Sequence, residues 1–153
     1  MYNVIFQKHY IMGVWGENSF SNDITYDFLQ LDIMYRIAGG VDELDVTNDI
    51  LKEILDDIDK CDDNYTKMAS IIFLVYKGCS IGASYIDMAL SYAEYELNNI
   101  NNKDWSNPSG RLVKLGEEIE NLKKAKLNGK IDPLHIPSIG DSMMKKMMNK
   151  NIN

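Results

Sequence analysis

The chain has 153 residues, the length of one domain, and 45% of them are hydrophobic, which is enough to form a core. No apolar run reaches the roughly 20 residues that a membrane helix requires, and the net charge of −7 disfavours direct binding to nucleic acid phosphates. The sequence shows no secretion signal, and its two cysteines lack a zinc or disulfide pattern, so we expect a cytoplasmic protein with reduced thiols.

The first forty residues are predicted to form an extension and one helix. Residues 1–11 precede a second candidate start at Met12, and YNVIF (2–6) fits a short strand or an ordered arm. A helix is predicted from about Asp23 to Ala38, because apolar side chains recur at three- and four-residue spacings and a glycine pair follows.

The second predicted helix runs from a capping residue, Thr47 or Asn48, to about Ile58. One face is apolar at every third or fourth position, whereas the other face is almost wholly acidic. Residues 41–64 hold ten Asp and Glu against two Lys, a local charge of −8. Such a face is typical of a solvated surface, and it also favours a basic protein partner and speeds its approach.

Three more helices are predicted, over about residues 66–77, 84–98 and 107–128. The run MASIIFLVY (68–76) also fits a central strand, but its neighbours favour a buried helix. The last helix begins at Asn107-Pro108, a capping residue followed by Pro at the first helical position. A Pro-broken link and a Met/Lys tail follow.

These elements predict an all-α fold, a single compact domain of about five helices around one core. Its three parts are an extension at 1–11, a helical domain at 12–129, and the link and tail at 130–153. The positively charged tail is either disordered or docked on the acidic helix of its own chain or of a neighbouring chain, the latter as the contact of a homo-oligomer.

The sequence contains no recognisable catalytic motif. His9 and His135 lie beside no nucleophile in a known pattern, and YKGCSIGAS (76–84) lacks the Lys-Ser/Thr of a phosphate-binding loop. The acidic segment 57–68 lacks both the glycine and the final glutamate of a calcium loop. We therefore predict no catalytic residue, no bound metal and no cofactor.

The stretch GVWGENSFSND (13–23) has two interpretations. As a fold nucleus, Gly16 permits a tight turn, Trp15 anchors it in the core, and Asn22-Asp23 start a helix. As a pocket, Trp15, Asn22, Asp23 and Asp27 serve a small-ligand-binding protein or a metal-assisted hydrolase, since Asp23 and Asp27 share a helix face.

The segment MGVWGENSFSNDITYDFL (12–29) resembles the start of a bacterial group catalogued as domain of unknown function 4259. Members typically begin Met-Gly-x-Trp-Gly, followed by a polar loop, Asn-Asp or Ser-Asp, and a helix with a further Asp. The matching residues are Met12, Gly13, Trp15, Gly16, Asn22, Asp23 and Asp27.

A second resemblance to the same group lies in DWSNPSGRLVKLGEEIENL (104–122). Asp104, Trp105 and Arg111 match an acidic residue, a Trp and an Arg that opens a last helix. The resemblance covers about residues 12–127. It implies a small, mostly helical bacterial or phage protein and supplies no catalytic residue.

Together these observations predict a non-catalytic acidic module that binds and blocks a basic protein surface. Immunity proteins and phage-encoded inhibitors of host defence proteins are built in this way. The residues expected to bind the partner are the acids of the second helix: Asp49, Glu53, Asp56, Asp57 and Asp59. The tyrosines of the fourth predicted helix are not expected to share one tight stripe, so some should face solvent or a partner: Tyr85, Tyr92 and Tyr95.

Overall fold

The computed structural model describes residues 17–19, 48–100, 105 and 107–136. The described part is all-α, as predicted, and its helices are α1 (Asn48–Asp59), α2 (Asn64–Tyr76), α3 (Ala83–Asn98) and α4 (Pro108–Asn128). The helix predicted over 23–38, the strand or arm at 2–6 and the Met/Lys tail lie outside the described residues. Within the described residues, no helix combines the length and the apolar character needed to cross a bilayer.

Helix α2 is the centre of the core. Eleven of its thirteen residues are buried, including the whole run from Met68 to Tyr76. A helix that is apolar on all sides has to be surrounded by other elements, and α1, α3 and α4 all pack against it. The strand alternative for this segment is therefore excluded, and the buried-helix prediction is confirmed.

Capping side chains and glycines set the ends of the helices. The Asp63 carboxylate accepts hydrogen bonds from the first backbone N–H groups of α2, and Gly78, with φ +83°, ends that helix. Asn107 caps α4 by accepting from the Gly110 N–H at 3.1 Å, and Pro108 occupies the first turn as predicted. These local signals fix where α4 begins.

The link after α4 returns to the end of α2. The backbone N–H of Leu134 donates to the Tyr76 carbonyl at 2.8 Å, while Ile131 and Ile136 pack against the core. A Cβ atom on Gly78 would lie 2.9 Å from the Pro133 ring, so the link approaches this turn closely. Residues 130–136 thus cover one end of the central helix.

Candidate functional site

Helix α1 separates its apolar side chains from its carboxylates. Ile54 and Ile58 are 2% and 0% exposed, and they join the core beside α2. The charged residues of the same helix lie on the other side, because residues three or four positions apart share a helix face. The inward half of the predicted amphipathic pattern is therefore present in the structure.

The acids predicted to bind a partner lie mainly on the outer side of α1. Three are exposed and one is half-buried; the exposed ones are Glu53, Asp56 and Asp59, and the half-buried one is Asp57. Asp49 lies in the first turn of α1, and its side chain is outside the described residues. Residues 51–63 carry six carboxylates against two lysines, which gives this described stretch a charge of −4.

The tyrosines of α3 continue this acidic face. Tyr85, Tyr92 and Tyr95 share one side of the helix with Met88, because the successive spacings are three, four and three residues. The expectation that these tyrosines would not share a stripe is therefore wrong. Tyr95 is 62% exposed, which agrees with the expectation that some would face solvent.

A hydrogen bond joins the tyrosine stripe to α1. The Tyr85 hydroxyl donates to the Asp59 carboxylate at 2.9 Å. This bond raises the pKa of Tyr85, and its burial and the Asp59 and Asp56 charges act in the same direction. This hydrogen bond places the first tyrosine of the stripe beside the acidic face of α1.

An open depression of about 270 Å³ lies at the far end of this stripe. Its lining combines aromatic, thioether and small polar side chains: Asn64, Met88, Ser91, Tyr92 and Tyr95. The volume falls just below the roughly 300–1,000 Å³ of ordinary small-molecule sites. In the part of the chain that the structure describes, no group of three or more His, Cys, Asp or Glu could hold a metal ion.

A buried charged cluster centres on Arg111, which is fully inaccessible to solvent. Its guanidinium donates to Glu118 Oε1 at 3.0 Å and to Glu96 Oε1 at 2.9 Å, and it lies over the Trp105 ring at 4.5 Å. Burial raises the pKa of Glu118, whereas Arg111 and the hydrogen bonds from Ser19 lower it. One cation thus serves two largely desolvated carboxylates.

The same cluster holds residues 17–19, and we call this arrangement the 17–19 clasp. The Ser19 N–H and hydroxyl both donate to Glu118, and the Tyr65 hydroxyl donates to the Ser19 carbonyl at 2.7 Å. Arg111 also donates to the Glu17 carbonyl at 2.9 Å. Because these donors and acceptors are hydrogen-bonded to one another inside the protein, the clasp stabilises the fold and offers no accessible reactive group.

Sequence reasoning missed most of this cluster. The resemblance pointed to Trp105 and Arg111, which do lie in contact, but Glu118 and Ser19 were not singled out. One signal was present: Glu118 lies three residues after Leu115 and four before Leu122, so it shares the helix face of these buried leucines. A charge at such a position implies a buried partner.

The alternative site predicted from the N-terminal motif lies outside the described residues; its members are Trp15, Asn22, Asp23 and Asp27. The ligand-binding or hydrolase hypothesis therefore stays a prediction. No family model, curated protein or solved structure matches the chain. The resemblance to domain of unknown function 4259 also remains a prediction.

Proposed function

We propose that this protein is a non-catalytic acidic module that binds and blocks a basic surface of another protein. The observation that supports the proposal is the segregation on α1, where Ile54 and Ile58 are buried while Glu53, Asp56 and Asp59 face solvent. Blocking a basic surface is the action of an immunity protein or of a phage-encoded inhibitor of a host defence protein. The resemblance of residues 12–29 favours the same bacterial or phage setting.

The expected binding is electrostatic and sensitive to salt. Two unit charges 4 Å apart interact by about 1 kcal/mol in bulk water and by about 4 kcal/mol near a protein surface. Screening acts over about 8 Å at physiological ionic strength, so added salt weakens each attraction between exposed groups. Complementary charge mainly accelerates encounter and selects the partner.

Charge reversal on α1 tests the proposal. We expect Glu53→Lys combined with Asp56→Lys to reduce capture of the partner from a lysate of the source organism, by about tenfold if each lost attraction contributes ~0.7 kcal/mol. The matched control reverses Glu117 and Glu120, which are exposed on α4 and change the net charge equally. Capture is compared at low and high salt, with circular dichroism confirming that each variant is folded.

The control separates a specific face from a general effect of net charge. If both double variants lose the partner equally, net charge alone is responsible and α1 is not the binding face. If the α1 variant captures the partner as strongly as the unmodified protein does, at both low and high salt, the proposal is wrong.

A further inference from the structure

We infer that the depression lined by Tyr92 and Tyr95 receives an arginine side chain of the basic partner, with the guanidinium stacked on the Tyr95 ring. The inference rests on the proposed function, since it states where the basic partner is anchored on this chain. It assigns the aromatic depression and the acids of α1 to one interface with different roles: the depression anchors one residue, and the carboxylates attract the basic residues around it.

The shape of the depression suits one extended side chain. It is open and holds about 270 Å³, and the Tyr92 and Tyr95 ring centroids lie 6.1 Å apart with the ring planes tilted by 36°. Met88 is half-buried at its wall, so the depression combines apolar surface with an accessible aromatic face. Arginine matches this lining because its planar group stacks on aromatic rings and is less strongly hydrated than an ammonium group.

The rim supplies hydrogen-bond acceptors for the guanidinium. Asn64 and Ser91 are exposed at the edge of the depression, and each carries a side-chain oxygen that can accept a hydrogen bond. A guanidinium brings five N–H donors in a rigid plane. A purely apolar side chain would leave this polar rim without a role, which favours a cation with directional donors.

The charge around the depression also favours a cation. Burial raises the pKa of the Tyr92 phenol, and the nearby Glu96 and Asp63 carboxylates raise it further. Glu96 is already paired with Arg111, so Asp63, directly before Asn64 in the chain, is the carboxylate that favours a cation here. The hydrogen bond from Tyr85 to Asp59 joins this region to the acidic face of α1. A basic segment attracted to α1 would thus approach the side of α3 on which the depression lies.

The test titrates the full chain with three blocked peptides of equal length, alternating Gly-Arg, Gly-Lys and Gly-Leu, and follows backbone amide NMR shifts. We expect the Gly-Arg peptide to bind most tightly and to shift Asn64, Ser91 and Tyr95. Tyr95→Leu should weaken binding of the Gly-Arg peptide about two- to fivefold, which corresponds to the loss of an exposed cation–π contact. Tyr95→Phe keeps the ring and should retain the affinity. Tyr95 is 62% exposed, so neither variant removes a core contact.

The outcomes separate this inference from the proposed function. Suppose the basic peptides bind and Glu53→Lys with Asp56→Lys weakens them, but Tyr95→Leu has no effect; the acidic module then stands and the arginine anchor is wrong. Equal shifts at Asn64 and Ser91 with the Gly-Leu peptide would assign the depression to an apolar residue and also overturn the inference. If neither basic peptide binds at low salt, the inference fails, and capture with the charge-reversed variants decides the proposed function separately.

Discussion

Arg111→Met is expected to lower the free energy of unfolding by about 3–5 kcal/mol, the cost of removing one partner from a buried ion pair. The guanidinium is fully buried and donates five hydrogen bonds, to Glu96, Glu118, Glu17 and Ser19. Methionine fills part of the space but leaves two carboxylates with no cation at this position. Because small domains unfold at a cost of about 5–15 kcal/mol in total, the loss is a large fraction of the stability.

The expected loss of stability for Arg111→Met depends on the burial of the ion pair rather than on its distance. Lys126→Met is the matched control. The Lys126 ammonium lies 2.6 Å from Asp87, closer than Arg111 lies to Glu118, but its side chain is 47% exposed. An exposed ion pair contributes about 0–1 kcal/mol. Urea unfolding followed by circular dichroism, analysed with a shared m-value, measures the free energy of unfolding of both variants.

The double variant Arg111→Met with Glu118→Leu shows whether the loss of stability arises from a buried Glu118 carboxylate that lacks its cation. The second substitution removes the fully buried Glu118 carboxylate and leaves only Glu96, which is 14% exposed, without its cation, so the double variant should be more stable than Arg111→Met alone. A loss of stability for Arg111→Met no larger than that for Lys126→Met would contradict this prediction. A double variant less stable than Arg111→Met, by the cost of Glu118→Leu alone, would also contradict it.

The loss of stability of Arg111→Met, relative to the unsubstituted protein, should also grow as pH rises. Burial raises the pKa of Glu118 and Arg111 opposes that effect, so loss of the guanidinium raises this pKa further. A carboxyl with a raised pKa binds its proton more tightly in the folded state, and stability falls as pH rises from the ordinary value of 4.5 through the folded pKa. Unfolding curves should therefore show a smaller deficit near pH 4.5 than near neutral pH.

Two further predictions concern helix α2. Asp63→Ala should lower the free energy of unfolding by about 1 kcal/mol, because the Tyr65 and Thr66 N–H groups lose their acceptor. Asp62→Ala, at the exposed neighbouring position, should cost little in the same urea assay. Equal losses for the two variants would contradict the capping role of Asp63. Burial raises the pKa of Tyr76 to about 12, so this phenol should remain protonated at about pH 11 and its contribution to stability should fall as pH rises from 10 through 12. The tyrosinate absorbance of the protein and of Tyr76→Phe should then agree at about pH 11, and a larger signal from the unsubstituted protein would contradict the shift.

Local patterns were sufficient to predict much of the described fold. The apolar spacing of α1 required one buried side, and its acids could then lie only on the other. The Asn107-Pro108 pair placed the start of α4, because capping depends on neighbours within one turn. Helix α2 was ambiguous, since a fully buried segment has no periodic contrast between its faces.

Contacts between distant residues could not be predicted from such patterns. The tyrosine stripe could have been predicted from the sequence, since Met88 completes the three- and four-residue spacings between the tyrosines. The spacing of Glu118 from Leu115 and Leu122 placed it on their buried face, but no local rule names Ser19 as its partner. Whether the Trp15 and Asp23 motif forms a pocket stays a prediction, because those residues lie outside the described part.

The 17–19 clasp has a consequence for the order in which the protein folds as it is synthesised. Ser19 leaves the ribosome long before its acceptor, because 99 positions separate it from Glu118. A nascent chain that stops short of α4 lacks Arg111 as well, and it displays the apolar surface of α2 that α4 later covers. Residues 17–19 therefore find their partners only after α4 has been synthesised, and a nascent chain that lacks α4 is the form most exposed to aggregation and proteolysis.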